Sequence, residues 1–466
     1  RRAGRPTSFL PANPGTYTVD YSGRRVEAAG PQRLRCRAER GRAMTQFDVA
    51  WVRSQFPALS RTVNGQPVAY LDGPGGTQTP QRVLDAVHEY LAEHNSNTHG
   101  YFATTEETDR IIQEGRAAMA DLFGSRPDEV SFGANMTTLC FMLAQALGSS
   151  LGPGDQVLIT EIDHEGNRGP WLRLAERGVL VREVPVHTST CTLDLEALER
   201  MAREGRTKVI AVNYASNAVG TISDVKRVAE VARRVGALSV VDAVHYALHG
   251  PIDVRDIGCD VLLCSAYKFF GPHIGVMYVR REAADQIDAL RLRTQEATPP
   301  DKFETGTLNH EGIAGAAAAV DFIAEMGRRH LDMVGGALPA KLSGRRRDVV
   351  AGMLANEAYE QPLARYLVAE LADTKGVTLY GPPAGYPRTS TVSFTVDGST
   401  AMEVARSLGE RGLFVWDGHF YAVRLVERLG LIERGGLVRV GLCPYTTREE
   451  IDRLIAAVRG LASSLR

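Results

Sequence analysis

From Asp155 onward, short apolar runs take turns with amphipathic stretches. The order is QVLITEI, WLRLAERG, VLVREVPV, LDLEALERMARE, KVIAVNY, VKRVAEVARRVG, ALSVVDA and VLLCSAY. Strand-like and helix-like periods in alternation predict βαβ units and a mostly parallel sheet, an α/β fold. In such sheets ligands collect outside the carboxyl ends of the strands. The first apolar run leads to His164 and the third to Asn217; the last two lead to Asp242 with His245, and to Lys268. The polar side chains with most chemical potential are thus expected along one edge.

A chain of 466 residues with 44% hydrophobic content is long enough for two domains. After about residue 320 the pattern shifts to long helical stretches such as PLARYLVAELADT mixed with the short strands TSTVSFTV and GLVRVGLC. We therefore expect a large domain over 44–320 and a smaller α+β domain over 321–466, with the early part of the chain packing beside the latter. The charge run GRRRD at 344–348 reads as a solvated face or loop. Residues 1–43 are arginine-rich without apolar periodicity and read as a disordered extension or, with Met44 as an ordinary start, as upstream sequence. A transit peptide is the alternative, weakened by the lack of helical amphipathicity.

The 54 basic and 55 acidic side chains balance, so no whole-molecule field draws the chain to nucleic acid or an anionic membrane. No apolar stretch approaches the roughly 20 residues of a bilayer span. Cysteines 36, 140, 191, 259, 264 and 443 show no CxxC pair and no framework spacing, as expected for reduced thiols in a cytoplasmic protein. No metal site is expected.

In SAYKFFGPHIGVMYV, Lys268 directly follows a buried strand and precedes aromatics and a Gly-Pro turn. Taken alone, it is equally well a strand-end lysine reaching water or a Schiff-base lysine, whose amine must be partly desolvated to act as a nucleophile. Asp242, at the end of the preceding strand, shifts the balance. A pyridoxal 5′-phosphate (PLP) ring is an electron sink while its nitrogen is protonated, and a buried aspartate holds that proton; in isolation a helix cap would be the simpler reading of Asp242. In GANMTTLCFMLAQAL, Thr137 and Thr138 open a helix that can present hydroxyls and N–H groups to a phosphate, although capping alone also accounts for them. His164 is placed to stack on the cofactor ring, and Asn217 to donate to its phenolic oxygen.

The order His164, Asn217, Asp242-x-x-His245, Ser265-x-x-Lys268 and FETGTLNHEG resembles the aminotransferase class V family, in particular its cysteine desulfurase-like branch, from about Met44 to the C-terminus. The resemblance implies a homodimeric fold-type I PLP enzyme with Thr137, Thr138 and Ser265 on the phosphate and Gly306 and Thr307 reaching in from a partner subunit. Arg439, in GLVRVGLCPYTT, matches the arginine that clamps the substrate carboxylate. Three positions depart from the family pattern: His245 stands where glutamine is common, Tyr267 where histidine is common, and Gly418-His419-Phe420-Tyr421-Ala422 where desulfurases carry Gly-His-His-Cys-Ala. The sulfur-accepting cysteine is missing. Cys443, four residues after Arg439, is the one plausible substitute, though a small apolar filler is the better reading, and Cys264 reads as inert. The expectation is a PLP enzyme acting on a small amino acid, with Lys268 and His164 as catalytic groups. C–S cleavage by β-elimination, transamination and epimerisation remain open as outcomes. A non-catalytic PLP-binding regulator or scaffold is the rival from another class.

Overall fold

A computed structural model describes residues 46–464; the segment read as an extension, with Cys36, lies outside the described residues. The strands that matter are β1 (Ala69–Tyr70), β2 (Val130–Gly133), β3 (Asp155–Thr160), β4 (Leu180–Val184), β5 (Arg206–Asn213), β6 (Leu238–Asp242), β7 (Val261–Ser265) and β8 (Gly275–Val279). Strands β2 to β8 form a seven-stranded sheet in the order β2-β8-β7-β6-β5-β3-β4. Only β8 runs antiparallel to its neighbours. Its strands are apolar almost throughout because both faces are covered. Leu158, Ile210, Val241 and Leu262 pack on one face, while Val157, Ile159, Val209, Val240 and Leu263 pack on the other. That is the period-two alternation of a pleated strand.

The helices end where the sequence signals them. Asn135 caps α1 (Met136–Gly148) by accepting from Thr138 N, and Asp194 and Asp224 cap α2 (Leu195–Glu204) and α3 (Val225–Val235) in the same way. Gly236 then closes α3 in the left-handed conformation, at φ 72°.

A second sheet has four antiparallel strands. It contains β9 (Val377–Tyr380), β10 (Thr391–Val396), β12 (Trp416–Gly418) and β13 (Leu437–Gly441), in the order β9-β10-β13-β12. The short strand β11 (Leu413–Phe414) pairs in parallel with β1 of the early chain. The boundary expected at residue 320 falls inside α4 (His310–Arg329), which packs against the helices Gln81–Glu89 and Ala103–Phe123 and against α5 (Gly344–Ala372). Helix α5 joins two apolar clusters: Val349 and Met353 belong to one that packs on the seven-stranded sheet, Leu367 and Leu371 to one that packs on the four-stranded sheet.

The GRRRD run is not a solvated loop. It forms the first turn of α5, where Arg346 donates to the carbonyls of Asp121, Leu122 and Ile252, and Arg345 Nε lies 2.7 Å from Asp121 Oδ2. The long arginine side chains satisfy carbonyls left open at neighbouring chain ends, which a charge-counting reading cannot anticipate. Arg116 and Glu304 form a buried pair, bidentate at 2.7 Å, and Glu304 also accepts from Phe132 N at 2.7 Å, fixing the chain just before Gly306 and Thr307 to strand β2. Among the described residues no helix is long and apolar enough to cross a membrane.

Helices α4 and α5 approach so closely that a β-carbon at Gly327 would overlap the Asp348 carbonyl, and one at Gly352 the Ile323 carbonyl. Gly327→Ala should therefore lower the unfolding free energy by about 1–3 kcal/mol, the usual scale for an overpacked core. Gly335→Ala, which meets open space, serves as the control. Denaturant unfolding measures both, and equal midpoints would contradict the close crossing.

Candidate active site

A cavity of about 180 Å³ opens at the carboxyl edge of the large sheet, between the ends of β5, β6 and β7 and the N-terminus of α1. Asp242, the last residue of β6, lies in its wall in register with Asn213 of β5. Its Oδ1 accepts from Val244 N at 2.9 Å, and burial raises its pKa from 3.8 to about 6. Lys268 sits in the helical turn that follows β7 and donates its Nζ to the Pro74 carbonyl. Burial, reinforced by the positive charge of Arg439, lowers its pKa to about 7, with Asp242 opposing. A neutral amine is therefore accessible near pH 7, as a nucleophilic lysine requires.

The phosphate-type end is at α1. Ser265 Oγ accepts from Met136 N at 2.9 Å, tying the end of β7 to the start of the helix, and Thr137 lines the cavity beside it. Thr138 does not. Its hydroxyl and its N–H both turn to Asn135 Oδ1, at 3.1 and 2.9 Å, so Asn135, and not Thr138, caps the helix. Gly306 and Thr307 line a different cavity, next to His99 and Gln113, and do not meet Lys268 within one chain.

His164 Nδ1 accepts from Gly166 N at 2.9 Å, which leaves the proton of a neutral ring on Nε2. Burial, with Lys268 and Arg439 adding to it, lowers its pKa to about 4, so the ring is uncharged at neutral pH and suited to stacking. His245 is also uncharged, held well below its usual value chiefly by burial. Its Nε2 lies 2.9 and 3.2 Å from the hydroxyls of Thr391 and Thr389 at the start of the four-stranded sheet. Asn217 lines the cavity with one N–H of its amide on the Phe420 carbonyl at 2.8 Å, and its buried Oδ1 has no partner.

Arg439, on β13, is 3% exposed. Its Nη1 donates to the Asn217 carbonyl at 2.9 Å, its guanidinium lies 4.1 Å from the Phe420 ring centroid, and its Nε has no partner. Burial lowers its pKa to about 9, and Asp72 supplies the largest opposing charge.

Phe420 and Tyr421 stand side by side in the left-handed region, at φ 53° and 58°. Strain of about 1–3 kcal/mol per residue in such conformations persists only where the surroundings enforce it. Here Asn217 holds the Phe420 carbonyl, and Glu165 N donates to the Tyr421 carbonyl at 2.7 Å. The Tyr421 ring lies 5.5 Å from that of His164. No thiol replaces it. All five described cysteines are buried, and burial raises Cys443 well above the usual thiol range.

Two groups escaped the sequence reading, Asp72 and Pro74, in YLDGPGG directly after β1. The signal was present: an apolar run ending in Asp and a Gly-Pro turn, the same strand-end pattern that marked Asp242 and Lys268.

Lysine, carboxyl, neutral imidazole and hydroxyl-bearing helix N-terminus converge on one cavity. That set fits PLP, with Lys268 for the aldehyde, Asp242 for the ring nitrogen, and Ser265 and Thr137 for the phosphate.

Residues 69–345 and 349–454 match the aminotransferase class-V family. A cysteine desulfurase from Pectobacterium carotovorum is 32% identical over 433 residues, covering 89% of this chain and 98% of that protein. An apo cysteine desulfurase structure from Thermococcus onnurineus superposes with a TM-score of 0.76 at 27% identity, over 88% of this chain and 98% of the other. A cysteine desulfurase structure from Escherichia coli shares the fold, with a TM-score of 0.74 at 24% identity over 90% and 100% of the two chains. The chain belongs to the aminotransferase class-V family, in which it is a cysteine desulfurase-like, PLP-dependent enzyme.

Proposed function

We propose that the enzyme cleaves the C–S bond of cysteine or a closely similar small amino acid by β-elimination, without a covalent persulfide on the protein. The observation that carries this reading is the Gly418–Ala422 loop. It has Tyr421 where sulfur relay needs a thiol, it is pinned at two consecutive carbonyls, and every described cysteine is buried.

When bound, PLP supplies an electron sink for the charge that develops at the substrate Cα. Asp242 holds the proton on the ring nitrogen, and His164 offers an uncharged imidazole face to the ring. Ser265 and Thr137, by its hydroxyl and N–H, would take the phosphate, with Gly306 and Thr307 of a second copy completing it in a homodimer. Sedimentation at assay concentration reads the oligomeric state, and a fully active monomer would overturn that role. Arg439 orients the substrate carboxylate. Lys268, with its depressed pKa, removes the Cα proton at Nζ, after which the Cβ–S bond breaks. Overall, cysteine and water give pyruvate, ammonia and sulfide. Unpaired, buried thiols are consistent with a cytoplasmic setting.

Incubated with cysteine, the holoenzyme should form pyruvate and sulfide in equal amounts, and Cys443→Ala should leave that ratio unchanged. Stoichiometric alanine with a trapped protein persulfide that the variant loses would mean that Cys443 has taken over as nucleophile. Arg439→Lys should raise KM about ten- to a hundredfold with cofactor affinity intact, since lysine cannot form two parallel hydrogen bonds to a carboxylate and a charged hydrogen bond contributes about 1.5–3 kcal/mol. Titrating cofactor and substrate separately tests this; equal losses for both would remove Arg439 from the substrate site.

A further inference from the structure

Buried polar atoms are almost always satisfied, so each exception asks for a cause. Three exceptions gather around Arg439: its own Nε, Asn217 Oδ1 and Asp72 Oδ1. Asn217 touches Arg439 directly through its carbonyl. Asp72 follows β1 and sits opposite Gly441 in an isolated parallel bridge, with Gly441 N donating to Leu71 O at 2.8 Å. Arg439 is two residues before Gly441 on the same strand face. Asp72 and Arg439 are thus diagonal neighbours.

Opposite charges so close would normally pair, yet no ion pair joins these two among the described residues, because each is tethered elsewhere. Arg439 is anchored on the Asn217 carbonyl and over the Phe420 ring. Asp72 is held by β1 and by the tight turn in which Gly75 N donates to the Asp72 carbonyl at 2.7 Å. The same turn presents the Pro74 carbonyl to Lys268. What remains is one cationic donor facing two acceptors, one of them a carboxylate. An anion alone would satisfy Arg439 and leave both oxygens unpaired. The complement of the whole set is a zwitterion.

We infer that Asp72 and Asn217 bind the α-ammonium group of the incoming free amino acid while Arg439 holds its carboxylate. The inference rests on the proposed role of Arg439. Asp72 Oδ1 accepts a proton from the ammonium group, which leaves the amine with the lone pair it needs to react; no other bond changes. The charged or titratable groups facing Asp72 are Lys268, Arg439, Cys443 and Tyr445.

The test uses two competitors of cysteine turnover by the holoenzyme that cannot condense with an aldehyde: N,N-dimethylalanine, a zwitterion, and its carbon isostere 2,3-dimethylbutanoate, an anion. The wild-type enzyme should favour the zwitterion about tenfold or more, the scale of one charged hydrogen bond. Asp72→Asn should bring the two inhibition constants together by weakening only the zwitterion. A structural role for Asp72 would weaken both alike and would overturn the inference, as would an unchanged preference. If neither compound competes, the carboxylate reading of Arg439 fails first, and the inference with it. Should the variant not fold, the wild-type preference measured between pH 5 and 8 decides: burial raises Asp72 to about 6, so the preference should fade as the pH drops through that value. A pH-independent ratio would overturn the inference.

Discussion

Two cations, Lys268 and Arg439, are drawn out of water at one edge of the large sheet, and much of the site follows from the cost of doing so. Desolvation is the leading cause of the lowered pKa of each, to about 7 and about 9. An unpaired buried charge costs several kcal/mol, so such groups persist only where counter-charges stand near. Asp242 and Asp72 supply them without forming closed ion pairs, and burial raises both to about 6. Carboxyl and ammonium groups whose pKa values converge near neutrality exchange protons at little cost, which is the property acid–base catalysis needs.

The same economy explains the rigidity of the surroundings. The β13 strand must come close enough to bring Arg439 in, so a β-carbon at Gly441 would overlap the Pro74 ring, and one at Gly75 the Trp416 indole. The Phe420–Tyr421 loop is held in a strained conformation because its carbonyls serve Asn217 and Glu165 and its Phe420 ring covers the guanidinium. A loop engaged in this way suits elimination, in which the leaving group simply departs. It suits poorly a relay, in which a mobile side chain must reach the sulfur and swing away.

Most of the site was legible in the sequence because a parallel sheet converts strand ends into a common edge. Thr137, His164, Asn217, Asp242, His245, Ser265 and Lys268 line one cavity for that reason. Asp72 carries the same strand-end pattern, an Asp followed by a Gly-Pro turn, but was passed over because its two-residue strand is too short to show a period and lies outside the alternating stretch. Thr138 was indistinguishable from Thr137 until Asn135 was seen to take the cap and, with it, the Thr138 hydroxyl. The partners of His245, Thr389 and Thr391, are more than 140 positions away, and a contact of that kind leaves no local trace. GRRRD misled for a related reason, since the open carbonyls that Arg346 satisfies belong to distant segments.

Borohydride reduction of the holoenzyme followed by peptide mapping decides whether desolvated Lys268 carries the cofactor. One pyridoxyl label per chain is expected, on Lys268, with reduction blocking all turnover. A label on another lysine, or full activity after reduction, would contradict it.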